Sequence, residues 1–169
     1  MEKVKKTVWI SIVGLLALSV IMAPVMAETA AMKQSFSATA YILGTPDPGK
    51  SWITEDGTEQ IKKMRQVGLI SGEIDGIPFD GEIELVISLT KDGTTLEGSG
   101  HGKFDITTAD GSIKGTLRVE VDWAENYALG TFVGTETTGD YEGKKIMGSL
   151  ESQAAGVLDF DGIILTPQP

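Results

Sequence analysis

Between residues 95 and 123 the chain alternates between apolar and polar side chains almost without fault. In 112–123, Ile113, Gly115, Leu117, Val119, Val121 and Trp123 share one parity, against Ser112, Lys114, Thr116, Arg118, Glu120 and Asp122. In 95–107, Leu96, Gly98, Gly100, Gly102, Phe104 and Ile106 oppose Glu97, Ser99, His101, Lys103 and Asp105. Successive side chains of a strand point to opposite faces, so a period of two with one charged face specifies an antiparallel sheet, buried on one side and wet on the other. Six Asp-Gly pairs punctuate the chain: 56–57, 75–76, 80–81, 92–93, 110–111 and 161–162. Asp-Gly between alternating runs is a strong hairpin signal, because tight hairpin turns need positive φ. The pattern predicts eight strands near 35–43, 60–74, 79–90, 95–107, 112–123, 127–137, 145–153 and 156–165, with 44–57 as the longest loop. After residue 27 no segment has a sustained helical period.

The buried parity collects all five phenylalanines, Phe36, Phe79, Phe104, Phe132 and Phe160, together with Trp123. It also collects eleven of the 21 glycines, at 68, 72, 81, 98, 100, 102, 115, 130, 134, 148 and 162. A strand interior disfavours glycine, so something must compensate. A small closed barrel does, since large and small side chains alternate inside it and glycine permits tight coiling. The expected fold is therefore all-β, a single closed eight-stranded antiparallel barrel. A two-sheet sandwich is the alternative, because it too has one inner face per strand.

The first 27 residues differ in kind. Lys3, Lys5 and Lys6 precede an uncharged run from Thr7 to Ala27, which ends in Pro24 and Val25-Met26-Ala27. A charged start, an apolar middle and a small-residue cleavage site are the parts of a secretory signal. The reading is a signal peptide over 1–27, a disordered lead-in over 28–34 and the barrel over 35–167. It implies a secreted, extracytoplasmic protein that has no membrane attachment after cleavage. An uncleaved, membrane-tethering segment is the alternative, since 21 uncharged residues approach the ~20 that span a bilayer. Removing the segment leaves 142 residues with 11 basic and 23 acidic side chains, a net charge of −12. Such a chain is unsuited to nucleic acid, which demands clustered Lys and Arg. It has no cysteine, which excludes disulfides, thiol catalysis and Cys-based metal sites.

Four strings carry a resemblance: Gly98-x-Gly-x-Gly-x-Phe104, Asp110-Gly-Ser-Ile-Lys-Gly115, Gly130-Thr-Phe132 and Gly139-Asp-Tyr-Glu-Gly143-Lys-Lys-Ile-x-Gly148. Over roughly 35–167 they resemble uncharacterised secreted proteins of the allene oxide cyclase and dirigent barrel type. The motifs are glycines and turn residues, so they speak for fold. The resemblance implies a barrel interior able to hold a hydrophobic small molecule. No catalytic residue of those enzymes matches a position here, and none is carried over.

Candidate chemistry is sparse. His101, the only histidine, has the parity of the wet face, so neither a nucleophilic triad nor a zinc site is expected. The acidic turns 56–59 and 139–143 lack the ligand spacing of a calcium loop. Glycines 98–102 precede no helix and cradle no phosphate. No metal or cofactor is expected. Three polar residues fall on inner parity, Lys62, Gln66 and Glu136, and buried charge must be paired, hydrated or used. The candidate ligand-binding set is thus Phe36, Gln66, Phe79, Phe104, Trp123, Phe132, Glu136 and Phe160. The leading expectation is a barrel that binds an apolar small molecule. An isomerase- or cyclase-like enzyme using the same cavity, and a structural or surface module without ligand, are the alternatives.

Overall fold

The structure, a computed structural model, describes residues 32–167. Nine strands follow in order: β1 Met32–Asp47, β2 Lys50–Ile53, β3 Glu59–Ile74, β4 Ile77–Lys91, β5 Glu97–Thr108, β6 Gly111–Asp122, β7 Tyr127–Thr137, β8 Lys145–Ala154 and β9 Val157–Thr166. A single 3₁₀ turn, Gly139–Tyr141, joins β7 to β8. Chain neighbours pair antiparallel from β3 to β9, and β1 pairs with both β9 and β3. That double pairing closes eight strands into a ring and removes the open edges a sandwich would keep. The barrel is the fold. β2 pairs with β3 alone and stands outside the ring.

Two boundaries differ from expectation. Met32, Lys33 and Gln34 already pair with Thr166, Leu165 and Ile164, so the part of the expected lead-in that is described belongs to β1. The signal-peptide reading of 1–27 and the lead-in residues 28–31 lie outside the described residues. The expected loop 44–57 is mostly extended, with β1 reaching Asp47 and β2 following at Lys50. Pro46 and Pro48 hid this, because a missing N–H argues against a strand. Here the ladder skips between Gly44 and Asp47, so Pro46 interrupts no regular pairing.

The turns follow their residues. Ile74 pairs with Ile77 across Asp75-Gly76, whose φ values of 53° and 77° are both positive, as a type I′ turn requires. Asp92 closes the next hairpin, at the other end of β4, accepting backbone N–H bonds from Thr94 at 2.7 Å and Thr95 at 2.8 Å. Asp80-Gly81 and Asp161-Gly162 are not turns; they lie within β4 and β9.

The inner glycines have a specific use. Phe36 lies directly across from Gly162, Phe79 from Gly72, Phe104 from Gly115 and Phe132 from Gly148. Each ring therefore has a neighbour with no side chain to displace it, and it covers backbone that a strand glycine would leave bare. The five rings form one cluster. Phe36 stacks on Phe79 at 5.8 Å between centroids, and Phe132 meets Phe36 and Phe104 at 6.0 Å and Phe160 at 5.2 Å. Tyr141, buried on the β7–β8 connection, joins the same hydrophobic cluster.

Two irregularities reverse the parity read from sequence. Between Ile61 and Met64 the β3–β4 register slips, so Lys62 and Lys63 together face the single residue Ser88. Lys63 takes a φ of 58° there. In consequence Ile61 and Met64 sit opposite the inward Leu89 and Ile87, while Lys62 is exposed with its Nζ 5.8 Å from the Trp52 ring centre. In β7, Gly134 pairs with Gly115 but Glu136 pairs with Lys114, leaving Thr135 as the extra residue. Glu136 is thereby turned to the outer face and is exposed. A bulge puts two residues opposite one and flips every side chain beyond it. The sequence reading of Lys62 and Glu136 as inward is corrected on this ground.

Acid should weaken the fold through identified carboxylates. The Thr54 hydroxyl bond holds Asp56 below the usual Asp value, the Thr95 and Thr94 backbone N–H bonds lower Asp92, and the Arg65 guanidinium bond lowers Glu84. A depressed folded value means the unfolded chain takes up protons first, so this stability is present above the unfolded value and is lost as pH falls through the folded one. The thermal midpoint should fall from about pH 5 downward, and Asp92→Asn should make that fall shallower. An equally steep acid limb in the variant would show that the turn carboxylate contributes nothing to it.

Candidate functional site

The barrel has two unlike ends. The lower end carries the β3–β4, β5–β6 and β7–β8 connections and is filled by the phenylalanine cluster. The upper end carries the tight connections β4–β5, β6–β7 and β8–β9, and there the interior opens into an apolar cavity of about 280 Å³. Leu85, Ile87, Leu117 and Leu150, on β4, β6 and β8, line its interior, and Trp123, Tyr127 and Gly156 line it from the mouth. Leu85 and Leu150 are almost wholly buried. Aliphatic residues stand here where the lower end has rings, and they leave space the rings do not.

Of the eight candidate residues, Gln66 and Trp123 line this cavity. Gln66 faces inward opposite Leu85, beyond the β3 bulge, and beside the stretch of β1 where the ladder skips between Gly44 and Asp47. Its amide has no hydrogen-bond partner among the described residues. Trp123 follows the end of β6, where its backbone N–H bonds the Leu96 carbonyl at 3.0 Å and Lys91 Nζ lies 5.6 Å from the ring. A Cβ on Gly98 would meet the Thr90 backbone carbonyl first and the Trp123 ring at 2.8 Å, so glycine here lets both lie close. Phe36, Phe79, Phe104, Phe132 and Phe160 are brought together, but as the packed lower end and outside the cavity lining. Glu136 faces solvent.

Sequence reasoning passed over Ser152 and the aliphatic lining. Ser152 is inward on β8 and buried, donating from Oγ to the Ala154 carbonyl at 3.0 Å. The available signal was the position along each strand. On β4 and β6 the inner positions toward the β4–β5 and β6–β7 turns are aliphatic and carry no ring: Leu85, Ile87 and Leu89, and Leu117, Val119 and Val121.

The charged residues gather on the outside. Arg65 pairs with Glu84 and Lys114 with Asp105, each at 2.6 Å, on strands β3 to β6. Asp105 Oδ1 is buried with no hydrogen-bond partner among the described residues. His101 is exposed on β5, opposite Arg118. Comparison of the chain with protein-family models, with curated proteins and with solved structures gives no match.

Proposed function

We propose that the chain is an exported barrel that binds an apolar small molecule in the upper cavity. The observation that carries this reading is the contrast between the two ends of one interior. Rings and glycines interlock at the lower end. Aliphatic walls leave about 280 Å³ at the upper end, with one tryptophan at the mouth and one unpartnered amide inside. Ligand sites are apolar hollows with a few placed polar groups, which is this composition. The resemblance to allene oxide cyclase and dirigent barrels agrees with it. Simple binding is favoured over cyclisation or isomerisation, because the one ionised side chain among the lining residues, Asp122, is engaged in its own turn. It accepts backbone N–H bonds from Ala124 at 2.9 Å and Glu125 at 3.2 Å. Export rests on Lys3, Lys5 and Lys6 before the uncharged run and Val25-Met26-Ala27.

A neutral fluorescent probe, N-phenyl-1-naphthylamine, should bind the purified chain with saturation near one per chain. Ala128→Trp, which puts a large ring into the lining, should remove that binding while leaving the thermal midpoint within a few degrees. Native mass spectrometry of material recovered outside the producing cells reads both claims, the start near Glu28 and any bound mass. A probe that binds the Ala128→Trp chain as well as the parent would retire the cavity as the site.

A further inference from the structure

The chemistry of the lining says more than that the ligand is apolar. None of the residues lining the upper cavity is Lys, Arg or His, and the whole chain carries a formal charge of −10. A carboxylate or phosphate placed there would lose its water and gain no counter-ion, which is the most costly arrangement for a buried charge. An ammonium would find one carboxylate in the lining, Asp122 at the end of β6 by the mouth, and none beside the interior residues Leu85, Ile87, Leu117 and Leu150. The ligand is thereby restricted to neutral molecules.

Within that class the two inward polar side chains discriminate. Ser152 has given its proton to the Ala154 carbonyl and retains acceptor capacity only. Gln66 keeps both an NH₂ donor and a carbonyl acceptor, and neither has a partner among the described residues. A pure hydrocarbon would leave that amide desolvated and unmatched, whereas a hydroxyl, ketone or amide would satisfy it. Size adds a bound. A dry cavity of roughly 150 Å³ is known to take one benzene ring, so about 280 Å³ suits two fused rings or a comparable skeleton.

We propose that the upper cavity selects a neutral, two-ring-sized apolar molecule bearing one hydrogen-bonding group, which the Gln66 amide recognises. This rests on the cavity being a ligand site, and the test separates the two claims. Naphthalene, 2-naphthol, 2-naphthamide, 2-naphthoate and 2-naphthylmethylammonium share a skeleton and differ in one group. Titrated against the full chain by calorimetry, 2-naphthol or 2-naphthamide should bind about tenfold more tightly than naphthalene, the worth of one good hydrogen bond. The two charged members should not bind measurably.

Gln66→Met, close in volume, should erase the tenfold gap by weakening 2-naphthol while leaving naphthalene binding intact. Gln66→Glu should bring 2-naphthylmethylammonium into the set of binders, and it serves as the second test if the Met variant is poorly folded. Binding by the whole apolar series with no preference for the hydroxyl or amide would overturn the selection while leaving the cavity a ligand site. Tightest binding by 2-naphthoate would overturn the neutral class. No binding by any member would defeat the ligand reading and this one with it.

Discussion

Phe132→Ala is expected to lower the free energy of unfolding by about 4 kcal/mol, the upper part of the range for deleting a buried ring. Phe132 is 2 % exposed and meets three other rings, Phe160 at 5.2 Å and Phe36 and Phe104 at 6.0 Å. The edge-to-face pairs add to the loss from area alone, by about 0.5–1.5 kcal/mol each. The facing residue on β8 is Gly148, which has no side chain with which to close the void, so only Leu117 on β6 faces it from the other side. A domain is stable by only about 5–15 kcal/mol, so the variant should sit near the limit of folding. Urea titration is the measurement, with the midpoint falling and the slope unchanged. His101→Ala, on the exposed face of β5, should move stability by less than about 0.5 kcal/mol. A larger effect at His101 than at Phe132 would mean the strand faces are assigned the wrong way round.

The second large effect concerns glycine. Gly115→Ala should cost about 3 kcal/mol, the upper end of the range for overpacking. Its Cβ would meet the Val133 carbonyl oxygen, with Gly134 Cα at 2.6 Å and Phe104 Cε1 at 2.7 Å. Two of those three atoms are backbone of the neighbouring strand, so the ladder itself must shift. Gly44→Ala is the matched comparison. It has nothing within 4 Å of the added carbon, and its φ is not positive. That change should be neutral or stabilise by up to about 1 kcal/mol, through a less mobile unfolded chain. Thermal unfolding of the two variants side by side checks the contrast. Equal losses would show that the inner glycines are kept for flexibility and not for the space taken by their neighbours.

These two experiments probe the part of the protein most legible from its residues. Strict alternation assigned both faces of β5 and β6, and the inner set holding Phe104, Leu117 and Ile113 is buried as expected. The reason is local: a strand's period of two is a property of its own backbone. The excess of inward glycine pointed correctly to a closed ring. Even so, its meaning depended on register, because only the pairing of Gly162, Gly72, Gly115 and Gly148 with four Phe rings shows that the glycines accommodate bulk.

The candidate site was legible in part, and the misses share one cause. Lys62 belongs to the bulge at 62–63 and Glu136 follows the one at 135, and each bulge exists only because a partner strand supplies one residue where this strand supplies two. A charge on inner parity was the available trace of that mismatch. Gln66, which lies past the β3 bulge, kept its inward place and with Trp123 belongs to the cavity lining. β2 was hidden by Pro46 and Pro48, which precede it. The division of the interior was beyond periodicity altogether. Whether five rings meet one another or spread along the axis is set by how far each strand is staggered against the next. Alternation determines which face a residue takes, and only the assembled barrel determines its height inside.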